Sequence, residues 1–188
     1  MDLKDKVPPH NLDAEQATLG AILFDSAAIS EIATILRPDR FYSFQNQLIY
    51  EAMLSLYKQN VAIDMLSLIN ELTKQGKLEQ AGGNAYIADL TNTVATSANI
   101  NYYVDIILDQ ATRRDLIRLS SDVRASAFDE THNSKVLLEQ AEKKIFNLSE
   151  NNETSRIYGM KDVISSTIEI IDQRYKNYKV KKYDNNMT

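Results

Sequence analysis

Residues 97–128 read Ser97-Ala98-Asn99-Ile100-Asn101-Tyr102-Tyr103-Val104-Asp105-Ile106-Ile107-Leu108-Asp109-Gln110-Ala111-Thr112-Arg113-Arg114-Asp115-Leu116-Ile117-Arg118-Leu119-Ser120-Ser121-Asp122-Val123-Arg124-Ala125-Ser126-Ala127-Phe128. Neither glycine nor proline interrupts them, so a helix capped by Ser97 can run for roughly 30 residues, ~45 Å at the usual rise per residue. Ile100, Val104, Ile107 and Ala111 recur along it at helical spacing, and so do Leu116, Leu119, Val123 and Ala127. The step from 111 to 116 carries the apolar stripe to roughly the opposite side of the helix, so the two halves are expected to bury different faces.

Downstream, Asp129-Glu130-Thr131-His132-Asn133 forms a short loop, and Ser134 can cap a further helix. Leu138, Ala141, Ile145 and Leu148 make a narrow seam on that helix, suited to packing on one neighbour. A loop this short favours an antiparallel hairpin of 97–149. Residues 150–159 read as a polar linker. Residues 160–178 then form an amphipathic helix whose Ile164, Ile168, Ile171, Tyr175 and Tyr178 are spaced 4, 3, 4 and 3 with no evident partner in the chain. Residues 179–188 are a basic, then polar, tail.

Upstream, residues 1–11 read as a flexible arm ending in Pro8-Pro9, followed by a compact head over 12–96. Asn11 caps a helix from Leu12 to Phe24, with Asp13 and Glu15 in the first turn, where the helix dipole favours them. Asp25 or Ser26 caps a second helix to Arg37, which Pro38 stops. Ser43 opens a third with a broad apolar face, and Asp64 a fourth that ends at Gln75 with Gly76 beyond it. The Gly82-Gly83 turn precedes a fifth carrying Tyr86, Ile87 and Leu90.

Composition agrees with this helical reading. Of 188 residues, 44% are hydrophobic and 25% charged, enough for a core and for solubility, and only five are glycine and three proline. That is about a third of the usual share of turn residues, too few for a sandwich or barrel. The expected fold is all-α: a small helical head, a long antiparallel helical hairpin, then a separate linker helix.

The same arithmetic excludes much chemistry. There is no cysteine, hence no disulfide framework, thiol nucleophile or Cys zinc site. Only His10 and His132 offer imidazole, which gives little support to a metal site or a Ser-His-Asp triad. Gly76-Lys77 is followed by Leu78 and preceded at the required offset by Glu71, so no phosphate-binding P-loop exists here. The carboxylate pairs Asp105/Asp109 and Glu139/Glu142 read as solvated helix faces. No apolar signal segment or membrane-length run is present, which makes a cytoplasmic protein with no membrane partner the default. Net charge is −5, with seven basic and four acidic residues in 156–188 against fourteen and twenty-two in 1–155. A chain-wide nucleic-acid footprint is therefore absent, and the run Arg174, Lys176, Lys179, Lys181 and Lys182 reads better as a solvated helix end than as a single-strand site.

Several of these stretches together resemble the N-terminal region of DnaB-type bacterial replicative helicases. Pro9-His10-Asn11-Leu12-Asp13-Ala14-Glu15-Gln16-Ala17-Thr18-Leu19-Gly20 is similar to that family's P-x-x-x-E-A-E-Q-x-x-L-G, with Asp13 for the usual Glu. Pro38-Asp39-Arg40-Phe41-Tyr42 resembles its P-x-x-F-Y corner, and Ile49-Tyr50-Glu51-Ala52-Met53 follows in register. Gly76-Lys77-Leu78, Gly82-Gly83-Asn84-Ala85-Tyr86-Ile87, and Ser97-Ala98-Asn99-Ile100 with Tyr103 complete the series over residues 8–149. The chain departs from the pattern at Ala62 and Ala95, where proline is usual, at Asn46, where histidine is usual, and at Asp115, which interrupts an arginine pair.

The resemblance implies a non-catalytic collar module that assembles into dimers and a trimer of dimers and receives the helicase-binding domain of primase. It makes Tyr86, Ile117 and Val123 candidates for assembly and primase docking. It also implies that Ile164, Ile168, Ile171 and Tyr175 dock a linker helix on the ATPase domain of a neighbouring subunit, and that a helicase loader is a further partner. ATP, Mg²⁺ and direct DNA contact would belong to the ATPase domain of a full-length hexamer, outside these 188 residues, so this chain is expected to hold no cofactor or metal. The alternative reading is a stand-alone loader or inhibitor that mimics the helicase N-terminal domain.

Overall fold

The computed structural model describes residues 6–129 and 133–154, with side chains to Ser149. They form seven α-helices: α1 Leu12–Phe24, α2 Ile29–Ile32, α3 Phe44–Lys58, α4 Met65–Lys74, α5 Gly83–Leu90, α6 Ile100–Ala127 and α7 Ser134–Thr154. Among the described residues there is no strand, in line with the all-α expectation. The core lies within Met1–Leu148, the first of two units into which the chain divides.

Short polar side chains begin the head helices. Asn11 accepts the Ala14 N–H at 2.9 Å, and Ser43 accepts the Asn46 N–H at 3.4 Å. Asp64 and Ser67 form a reciprocal capping box on α4. The ends obey the complementary rule. Gly76, at φ 68°, follows α4, and the Lys77 N–H reaches back to the Leu72 carbonyl at 2.8 Å; Asn60, at φ 55°, follows α3 with Val61 N–H on the Leu56 carbonyl.

Two boundaries between Asp25 and Ile100 differ from expectation. The helix expected from Asp25 or Ser26 to Arg37 shrinks to a 3-10 turn, Ser26–Ala28, and the single turn of α2. Arg37 stands immediately before Pro38 and is extended (φ −106°, ψ 151°), as the proline ring demands of its predecessor. Nor does Ser97 cap the long helix: its hydroxyl donates to Asp25 Oδ2, and α6 begins three residues later.

Helix α1 is the centre of the head. Its apolar residues lie on every side rather than in one stripe, and Leu19, Ala21 and Ile22 are wholly buried. It packs on α3, α5 and most extensively on α6. Ser97 meets Asp25 at one end of α1 and Arg114 meets Pro9 at the other, so α1 lies antiparallel along the first half of α6. That half buries Ile100, Val104, Ile107 and Ala111, the stripe read from the sequence.

Beyond Ala111 no residue of α6 is buried. The positions of intermediate exposure include Leu119 and Ser126 on α6 and Leu137, Ala141 and Leu148 on α7. On α7 the less exposed line is Leu137, Ala141 and Leu148, whereas Leu138 and Ile145 of the expected seam are 61% and 56% exposed. Helix α7 also runs to Thr154, five residues into the segment read as polar linker. The linker helix over 160–178 and the tail lie outside the described residues.

Candidate docking and assembly surface

The base of α6 is built on one buried carboxylate. Glu15, 2% exposed, accepts the Tyr42 N–H at 2.6 Å, the Ser43 N–H at 3.2 Å and Asn46 Nδ2 at 2.9 Å. Asn46 Oδ1 accepts the Tyr86 hydroxyl at 2.7 Å, and Tyr86 Oη accepts Gln16 Nε2 at 3.2 Å. Helices α1, α3 and α5 and the corner after Pro38 are joined in this way by one chain of hydrogen bonds. No buried side-chain polar atom among the described residues lacks a partner, which a buried polar network requires if it is to be stable.

A second set of contacts fastens α6 to that network. Arg114, one turn past Ala111, donates from Nη1 to the Pro9 carbonyl at 2.8 Å and from Nη2 to the Arg40 carbonyl at 2.5 Å. Its guanidinium lies 5.8 Å from the centre of the Tyr42 ring, on which His10 stacks at 4.4 Å. Burial draws the Arg114 pKa down, while the charges of Glu15 and Asp115 oppose that shift. Asp115, which departs from the family pattern by interrupting an arginine pair, pairs with Arg40 at 2.5 Å.

Of the residues singled out from the sequence, Tyr86 belongs to the head network and is half-buried. Its Cβ would lie 2.8 Å from a Cβ on Gly82, whose φ of 93° already favours glycine. Ile117 and Val123 are 52% and 37% exposed on the distal half of α6. Ile164, Ile168, Ile171 and Tyr175 lie outside the described residues. Sequence reasoning missed Glu15, Asn46 and Arg114. The available signal was a first-turn glutamate inside an apolar helix and an Arg-Arg-Asp step directly after the last core position.

Beyond the head, Leu116, Ile117 and Val123 on α6 and Val136, Leu138, Ile145 and Phe146 on α7 are all more than a third exposed. Large apolar side chains held in water on two helices are the feature by which an interaction surface is recognised. On the head, an open groove of about 670 Å³ is lined by Pro38, Glu51, Leu54, Ser55, Lys58, Gln75 and Lys77. Lys77 pairs with Glu51 there at 2.8 Å, and Lys58 adds a second positive charge to the lining. Among the described residues no group of three metal-binding side chains gathers, and no helix is long and apolar enough to cross a membrane.

Comparison with known proteins gives this architecture a family. The chain is 36% identical over 176 residues to the replicative DNA helicase DnaB of Treponema pallidum, which covers 94% of this chain and 40% of that protein. It therefore spans about two fifths of the relative's length. Its fold is similar to the crystal structure of the N-terminal domain of DnaB helicase from Mycobacterium tuberculosis, with a TM-score of 0.70 and 32% identity over 76% of this chain and 99% of that one. A DnaB-like replicative helicase whose structure is described with its interactions with primase shares the fold at a TM-score of 0.62 and 22% identity, over 81% of this chain and 35% of that one. The family model of the DnaB-like helicase N-terminal domain matches residues 7–109, and the chain belongs to that family.

Proposed function

We propose that this chain is a non-catalytic assembly and primase-docking module of a cytoplasmic replicative helicase. The observation that carries this reading is the division of α6. Its first half is locked into the head by Ile100, Val104, Ile107 and Ala111, whereas its second half and α7 hold large apolar side chains out in water. A rigid base with an unpartnered apolar extension is suited to joining copies of itself and other proteins without chemistry of its own. Primase is the partner with which a helicase of this fold is described, and the proposal brings it to this chain. A dimer or trimer-of-dimers collar is the assembly the exposed stripes would serve, and docking of residues 160–178 on a neighbouring ATPase domain and contact with a loader belong to the same reading. The module itself would need no cofactor; ATP and Mg²⁺ would act in the ATPase domain of a full-length helicase.

Light scattering on a sizing column, for the chain alone and with the C-terminal domain of primase from the same organism, tests the proposal. A dimer or hexamer that gains primase mass is the expected result. A monomer that gains none would overturn it.

A further inference from the structure

Among the described residues, the N-terminal arm is fastened to the head by two neighbouring contacts. Pro9 gives its carbonyl to Arg114 Nη1, and the next residue, His10, stacks at 17° on Tyr42, the ring beside which the same guanidinium lies. Val7 and His10 are exposed, and Val7 is 67% so. Among the described residues 6–10, one hydrogen bond and one ring contact tie the segment to the head while Val7, Pro8 and His10 are exposed, and a segment so held opens at far lower cost than the core.

What it covers is a cation without a directly paired carboxylate. Both acceptors of Arg114 are neutral backbone carbonyls, those of Pro9 and Arg40. Arg40 and Arg118 are near enough to act on Arg114 electrostatically. Arg118 is 77% exposed and reaches only to 3.9 Å from Asp115, whose other oxygen is taken by Arg40. Glu15, the other nearby acid, is already engaged by three donors inside the head. Three guanidinium groups, those of Arg40, Arg114 and Arg118, thus gather where α6 leaves the head, and of these Arg114 has, among the described residues, no carboxylate in direct contact while Asp39 and Asp115 lie against Arg40. A carboxylate is a stronger acceptor for guanidinium than a neutral carbonyl and can engage both nitrogens at once.

We infer that the arm is a displaceable strap over a carboxylate-binding site, in which an acidic segment of a partner protein takes the place of the Pro9 carbonyl on Arg114, beside Tyr42 and within reach of Arg118. Ile117 lies three residues beyond Arg114, hence on the same side of α6, so such a segment would enter along the docking face. The inference deepens the docking reading, on which the biological partner rests.

The chain has no cysteine, so Val7→Cys places a single nitroxide on the arm of the full chain, and hexaglutamate serves as the probe, with hexalysine as control. Hexaglutamate should increase the mobility of the label, and added salt should reverse the change. Arg114→Gln should free the arm without peptide and weaken hexaglutamate binding at least tenfold, with helix content unchanged by circular dichroism. A chain lacking residues 1–9 keeps Arg114 and should bind the peptide at least threefold more tightly than the intact chain. A label whose mobility is unchanged at saturating peptide, or equal affinity with and without the arm, would overturn the inference. Neither measurement involves primase or oligomer mass, so its failure is distinct from failure of the docking proposal.

Discussion

Glu15 shows how much one side chain does in this head. A buried carboxylate is costly unless each oxygen is satisfied, and here two backbone N–H groups and the Asn46 amide satisfy it. Glu15→Ala would strand all three donors, and the expected cost is at least about 3 kcal/mol in urea unfolding; a loss below about 1 kcal/mol would mean that water replaces the carboxylate. Gly20 presents a conflict between two rules. Helix propensity favours alanine over glycine by about 1 kcal/mol. A Cβ at Gly20, however, would lie 2.1 Å from Thr93 Oγ1 and 2.6 Å from the Leu90 carbonyl oxygen. The hydroxyl can rotate away but the backbone oxygen cannot, so Gly20→Ala should destabilise by about 1–3 kcal/mol. A rise in melting temperature would show that α5 moves aside.

At the scale of the element, α4 and α6 make separate predictions. Hydrogen bonding from the Ser67 backbone N–H holds the Asp64 carboxyl below its ordinary pKa. A depressed native pKa contributes stability above the unfolded value, and this is lost as pH falls through the native one. Acid should therefore weaken the α4 cap below the ordinary carboxylate range, and Asp64→Asn should reduce the difference in urea midpoint between neutral and acid pH. An unchanged difference would assign the acid sensitivity elsewhere. On α6 the same truncation should have opposite consequences in the two halves. Ile107→Ala, in the core, should cost about 2–5 kcal/mol in stability. Ile117→Ala, 52% exposed, should cost about 0.5 kcal/mol or less in the monomer while weakening assembly or primase binding, as titration calorimetry would show. Equal stability costs would mean that the distal half is packed in solution. The seam of α7 departs from its expected line for a related reason. Leu137, Leu138, Ala141, Ile145 and Leu148 form one broad apolar stripe, and periodicity does not say which edge of it a neighbour covers.

The whole molecule couples a satisfied head to an unsatisfied extension. If the exposed stripes are closed by other copies, stability must depend on protein concentration. Paired Leu138→Asp and Ile145→Asp substitutions should then abolish the higher-mass species in light scattering and leave the urea midpoint of dilute protein nearly unchanged. Loss of folding in the dilute monomer would show instead that this face is part of the core. Charge acts at the same scale: the ion pairs Arg37–Asp39, Arg40–Asp115 and Lys77–Glu51 lie at or near the surface and add little individually, so apolar burial and the Glu15 network carry the fold.

Local chemistry makes much of this molecule legible in its amino-acid sequence alone. Asn11, Ser43 and Asp64 begin helices at the expected places, because a side-chain oxygen next to free N–H groups acts within three residues. Gly76 closes α4 for an equally local reason, and the first stripe of α6 is buried as its spacing requires. The ordered motifs of residues 8–149 point to the family by their resemblance to its pattern, which is likewise read along the chain. Ser97 fails as a cap because Asp25, 72 residues earlier, takes its hydroxyl. The burial of Glu15 and the bridge of Arg114 from Pro9 to Arg40 depend equally on partners remote in the chain. Hydrogen bonds and apolar contacts across such distances exist only once the helices have packed, and this packing, not the sequence pattern, selects which polar groups go inside and which apolar ones stay out.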